Sequence, residues 1–83
     1  MVSTLDERYQ AFLANLRAAR ARSGLTQSEA AQALRRPQSF VSRSENGERR
    51  VDIVEASDFA AVYGCRLSDL VPGCERRDAD ERV

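Results

Sequence analysis

The chain has no histidine, and its two thiols, Cys65 and Cys74, stand nine residues apart. From that set neither a four-ligand zinc site nor a Cys-His or Ser-His catalytic pair can be assembled, so the expectation is no metal, no cofactor and no enzymatic activity. The chemistry left to the chain is hydrogen bonding by arginine, glutamine and serine. One short stretch concentrates it: Gln38, Ser39, Ser42 and Arg43 form the polar face left over once Phe40 and Val41 of the same segment point inward. Glutamine can bond bidentately to adenine, arginine to guanine and serine to either, each good pair contributing roughly 1–3 kcal/mol of discrimination.

The charge distribution fits a surface built for a polyanion. Thirteen arginines balance thirteen acids, and there is no lysine. Residues 1–16 carry −1, residues 17–50 carry eight arginines against Glu29, Glu45 and Glu48, giving +5, and residues 51–83 carry −4. A general preference for arginine over lysine would explain the missing lysines but not this segregation into a basic middle between acidic ends. Arg17, Arg20 and Arg22 are read as solvated helix charges, of which Arg17 and Arg20 could add non-specific phosphate attraction.

Size limits what can hold these groups in place. A chain of 83 residues and 9.3 kDa buries only about 60% of its unfolded surface, which is one small domain with no enclosed cofactor cavity. No apolar run approaches the ~18 residues of a membrane span, and Met1 to Gln10 lacks the basic-then-apolar pattern of a secretory signal. A soluble cytoplasmic protein with reduced thiols is expected. A Cys65–Cys74 redox switch is a lesser alternative, since only Arg66, Arg76 and Arg77 stand near to lower a thiol pKa.

The elements are helical. Leu5, Tyr9, Phe12, Leu13 and Leu16 recur at spacings of three and four, with Thr4 and Glu7 as a capping box and Gly24 as the stop. Thr26-Gln27-Ser28-Glu29 opens a second helix whose narrow apolar face is Ala30, Ala31 and Leu34. Pro37 is tolerated only at a helix start, so Arg35-Arg36 is the turn and Pro37 to Glu45 the third helix, closed by Asn46-Gly47. Asp52 and Glu55 cap a fourth, with Ile53, Ala56, Phe59, Ala60 and Tyr63 inward and Gly64 at its end. Leu67 to Val71 adds a last turn or two. The expected fold is an all-α compact bundle of about five short helices over residues 1–73, followed by a charged, disordered tail over 74–83.

The second and third segments are separated by two residues, too few for them to run antiparallel, so they must cross steeply, as in a helix-turn-helix. Gln27, Ala31, Val41 and the terminal Glu45-Asn46-Gly47 resemble the lambda-repressor-like (Cro/repressor, or xenobiotic-response-element) helix-turn-helix family, as does Arg36-Pro37-Gln38-Ser39-Phe40-Val41-Ser42-Arg43. The resemblance runs from about Leu13 to Val71. Ala31 and Val41 have a physical reason to match, since a steep crossing needs a small side chain met by a branched one.

The resemblance implies a sequence-specific DNA-binding regulator, a bacterial or phage repressor acting by operator occupancy at the nucleoid. It makes Gln38, Ser39, Ser42 and Arg43 the base-contacting positions. Gln27, at the start of the preceding helix, and Asn46, Arg49 and Arg50, after the recognition helix, are expected on the phosphates. The partner would be double-stranded DNA with a two-fold symmetric operator, bound by a homodimer whose contacts are sought among Val62, Leu70 and Val71 or Leu5 and Tyr9. A protein-interaction module, antitoxin-like or adaptor, is the alternative, with the acidic tail binding a partner protein. Two positions depart from the pattern: Arg35 stands where the family usually has glycine, and Ser44 where it usually has a large apolar residue. Cys65 takes a slot commonly held by valine and is expected to be a buried small hydrophobe.

Overall fold

The computed structural model describes residues 3–73, with side chains described from residue 7 onward. Five helices follow one another: α1 Ser3–Ser23, α2 Gln27–Leu34, α3 Gln38–Asn46, α4 Ile53–Tyr63 and α5 Leu67–Leu70. Among the described residues there is no strand, and no helix is long and apolar enough to cross a membrane. The expected disorder of Cys74 to Val83, and the side chains of Thr4 and Leu5, lie outside the described residues.

Each helix starts and stops for a local reason. Thr26 accepts from the Glu29 N–H at 3.0 Å while its own N–H donates to Glu29 Oε1 at 2.9 Å, so two donors at the start of α2 are satisfied reciprocally. Asp52 and Glu55 repeat the device at α4, at 2.8 and 3.1 Å. Gly47 closes α3 at φ +80°, the left-handed conformation that favours glycine, and a Cβ there would make a tight 3.3 Å contact with Leu13 Cδ1. Arg35 closes α2 at φ 61°, ψ 43°, the one non-glycine residue with positive φ among those described. It therefore adopts the left-handed backbone of the glycine it replaces, at a cost of roughly 1–2 kcal/mol.

The core lies where the five helices converge. Leu13, Leu16, Val41, Phe59 and Leu70 are completely or almost completely buried, with Ala30, Ala31, Ala56 and Ala60 allowing the helices to approach closely. Ala31 of α2 and Val41 of α3 both belong to this buried cluster. Phe40 stacks on Phe59 with ring centroids 5.7 Å apart, and Leu34, Leu67 and Cys65 pack against the cluster half-buried. Asn15 Nδ2 donates to the Leu70 carbonyl at 2.9 Å and ties the last helix to α1.

Several boundaries and burials differ from the sequence reading. Helix α1 begins at Ser3, so Thr4 lies inside it and is not its cap. Pro37 has extended backbone (φ −64°, ψ 154°) and precedes α3, which starts at Gln38 and runs through Asn46. The first residues of α4 are not core: Ile53 and Val54 are each 65% exposed, because the helix enters the bundle only at Ala56. Leu70 is fully buried and so unavailable for self-association.

Candidate nucleic-acid interface

Helix α3 has two faces of opposite character. Val41, Ser44 and Glu45 point inward and are buried, while Gln38, Ser39 and Arg43 are exposed and Ser42 is half-exposed. Positions 38, 39, 42 and 43 fall on one side of the helix, so the four residues expected to read bases do share a face. The Ser42 hydroxyl points back to the Ser39 carbonyl at 3.5 Å, too long a contact to hold it. All four side chains are free to bond to something outside the chain.

The inward face is what fixes this outward one. Glu45 is 1% exposed and accepts from Arg20 Nε at 2.6 Å, from Arg20 Nη2 at 3.1 Å and from Gln27 Nε2 at 3.0 Å. Its backbone carbonyl accepts from Arg17 Nη1 at 2.8 Å, and Arg20 Nη1 reaches the Leu25 carbonyl at 3.1 Å. One carboxylate thus ties the end of α3 to α1, α2 and the loop between them. The bidentate contact raises the Arg20 pKa above its ordinary value, against the opposing effect of burial. The reading of Arg20 as a solvated charge is corrected by these contacts, whereas Arg17 is exposed, as read, and adds one bond to the Glu45 carbonyl. Arg20 follows Leu13 and Leu16 along the inward stripe of α1 at positions 13, 16 and 20, and that continuation was the signal in the sequence. An arginine on a core stripe requires a carboxylate partner.

Ser44, where a large apolar residue was expected, is fully buried. Its hydroxyl donates to the Phe40 carbonyl one turn back at 2.6 Å and accepts a long contact, 3.4 Å, from Arg49 Nη1. Tyr63, also buried, has a hydroxyl without a hydrogen-bond partner among the described residues. Burial, and secondarily Glu45, push its pKa far above the usual phenol value.

The residues expected on phosphates are placed unequally. Asn46 and Arg50 are exposed, directly after the recognition face. The Arg50 guanidinium carbon lies 4.3 Å from the centre of the Tyr9 ring, and the Tyr9 hydroxyl accepts the Val51 N–H at 2.9 Å. Tyr9 therefore holds both the backbone and the cation of the loop that follows α3. Arg49 is engaged twice: it pairs with both carboxylate oxygens of Glu55 at 3.0 Å and lies 4.6 Å over the Phe40 ring. The pairing raises the Arg49 pKa and lowers that of Glu55, chiefly through these hydrogen bonds. Gln27 keeps only part of its amide free, since Nε2 serves Glu45. Arg36, absent from the expected set, lies 4.3 Å over Phe40 in the turn before α3, and it adds a pre-oriented cation.

The Cys65 thiol, in the turn after α4, is not among the groups of this surface. Cys65 is half-buried and free, and burial pushes its pKa up, with Asp69 acting in the same direction. That suits a packing side chain rather than a nucleophile.

Residues 11–72 match the model of a helix-turn-helix domain. No curated protein matches the chain. Among solved structures, an XRE-family like protein from Pseudomonas syringae pv. tomato str. DC3000 is 47% identical, with a TM-score of 0.79 over 82% of this chain and 83% of that one. With the sequence match over most of its length and the likeness to that structure, the chain belongs to the XRE, lambda-repressor-like helix-turn-helix family of DNA-binding transcription regulators.

Proposed function

We propose that the protein is a sequence-specific repressor that acts by occupying an operator as a homodimer, each copy laying α3 in the major groove of one half-site. The observation that carries the reading is the division of α3: four polar side chains free on one face, the opposite face buried and tied through Glu45 to two other helices. A reading helix must present its donors and acceptors at fixed positions, and this anchoring fixes them before DNA arrives. In this reading Gln38, Ser39, Ser42 and Arg43 contact base edges, while Gln27, Asn46, Arg49 and Arg50 contact phosphates. Arg49 serves there only after sharing or leaving Glu55. The protein works in the cytoplasm, at the nucleoid.

Selection of sites from a random duplex library, followed by titration of the winner against scrambled DNA at two salt concentrations, tests the reading. A two-fold symmetric consensus bound at least ~10³-fold more tightly than scrambled DNA is expected. Arg43→Ala costs about 1–3 kcal/mol on that site and relaxes preference at one or two positions, whereas Arg49→Ala weakens all sequences alike and flattens the salt slope. No enrichment, or identical behaviour of the two variants across operator sequences, overturns it.

A further inference from the structure

Outside the recognition face, one other surface combines a depression with a ridge that matches it. Where the first turns of α1 cross the start of α4, an open apolar trough of about 330 Å³ is floored by Tyr9, Phe12, Ala56 and Val71. Arg8 and Tyr9, which help to line it, lie before the matched helix-turn-helix region of residues 11–72. The trough thus depends on α1 beginning well ahead of that region. Ile53 forms its lip, and with its neighbour Val54 makes a ridge of two β-branched side chains, each 65% exposed.

We propose that this surface is where two copies of the chain associate, the Ile53–Val54 ridge of each entering the trough of the other. This names the dimer contact of the repressor reading above, and it rests on that reading only for the operator part of its test. A two-fold axis pairs residue i with j and j with i, so a surface carrying a knob beside its own hole is complementary to itself. The rim charges fit the same occupant. Arg8 and Arg50 stand on it together with Asp52, and a two-fold places one copy's Asp52 against the other's Arg8, leaving Arg50 to the phosphates. A purely acidic partner would satisfy the arginines but meet Asp52 as a like charge.

The ten residues that follow Gly73 are the competing occupant. They contain Cys74, Ala79 and Val83 as their apolar side chains and offer no adjacent pair of large ones to fill the trough. The trough also adjoins the reading site, because successive residues serve the two: Arg49 lies over Phe40 of α3 and Arg50 over Tyr9 of the trough.

Sedimentation equilibrium of the full chain without DNA, over roughly 5–200 µM protomer, is the test, since the dimer population depends on concentration. A monomer–dimer equilibrium is expected, and Ile53→Asp and Val54→Asp each raise its dissociation constant at least about tenfold. Circular dichroism stays unchanged, and so does the melting temperature measured at protomer concentrations where the wild type is monomeric, because both side chains are mostly in water in the single chain. Arg8→Asp, a second probe on another helix lining the trough, weakens association in the same direction. On DNA, the Ile53 and Val54 variants bind a half-site duplex as the wild type does but lose cooperative binding to the full operator. A chain that stays monomeric throughout, or ridge variants that dimerise as strongly as the wild type, overturns the proposal. Absence of specific half-site binding in the wild type would instead strike the repressor reading and leave the dimer contact standing.

Discussion

The two ends of α3 are held by different means. At the C-terminal end Ser44 and Glu45 are buried, Arg20 and Gln27 grip the carboxylate, and Gly47 closes the helix against Leu13. At the N-terminal end Pro37 offers no side-chain cap, Arg35 before it is in a left-handed conformation, and Arg36 is held by its stack on Phe40. Gln38 and Ser39 are exposed there. The difference follows from burial: a carboxylate taken out of water must be fully satisfied, and satisfying it rigidifies whatever carries it. Exposed groups carry no such demand. The fold spends its polar network on the end that orients the helix and leaves the other end open to what the helix meets.

Removing the network is the strongest way to break that contrast. Glu45→Ala takes the carboxylate from Arg20 and Gln27, leaving Arg20 only the Leu25 carbonyl, and losing one partner of a buried pair costs about 3–5 kcal/mol. For a domain of this size each kcal/mol lowers the melting temperature by roughly 4–8 °C, so calorimetry has a large signal to read. Pairing the change with Arg20→Met, which makes the site apolar on both sides, recovers much of the loss. If Glu45→Ala costs under about 1 kcal/mol, comparable to an exposed pair, the C-terminal end is not anchored as described.

The N-terminal end yields a smaller effect of opposite sign. Arg35→Gly relieves the positive φ and stabilises by about 1 kcal/mol, less the entropy that glycine returns to the unfolded chain. The urea midpoint should rise with an unchanged slope. Destabilisation on this substitution would mean that the Arg35 side chain holds the turn by more than its backbone costs.

How much of this was legible in the sequence divides along the same line. Helix ends were readable because caps are local: Thr26 with Glu29, Asp52 with Glu55, Gly47 and Gly64 signal through spacings of three or through a single residue. The left-handed turn at Arg35 and the recognition face were readable through the family pattern. The Arg20–Glu45 pair was not, because its members are 25 residues apart and arginine on a helix is usually solvated. Arg49 and Glu55 escaped for the same reason, their spacing crossing a loop rather than one helix. Ile53 was misplaced because helical periodicity places residues on a stripe without saying where along the stripe the neighbours begin. Long-range polar pairing is the part that local rules do not carry.

The smallest effect distinguishes the buried carboxylate from its half-exposed counterpart. Arg49 holds the Glu55 pKa below the ordinary carboxylate value. A depressed folded pKa contributes stability that is fully present above the unfolded pKa and lost as pH falls through the folded one. Below the usual carboxylate range, then, the wild type loses a stabilisation that Glu55→Gln never had. The pair is partly open to water, with Arg49 33% and Glu55 14% exposed, so the difference is at most about 1 kcal/mol. It should appear as convergence of the wild-type and Glu55→Gln urea midpoints at acid pH. Glutamine still accepts the Asp52 N–H through its carbonyl, so the cap survives while the charge on Arg49 is released. On DNA the same variant therefore gains affinity for all sequences alike, because Arg49 no longer gives up a carboxylate to reach a phosphate, while the salt slope stays that of the wild type. If the affinity is unchanged while the midpoints behave as stated, Arg49 belongs to the scaffold alone and the phosphate contacts fall to Asn46 and Arg50.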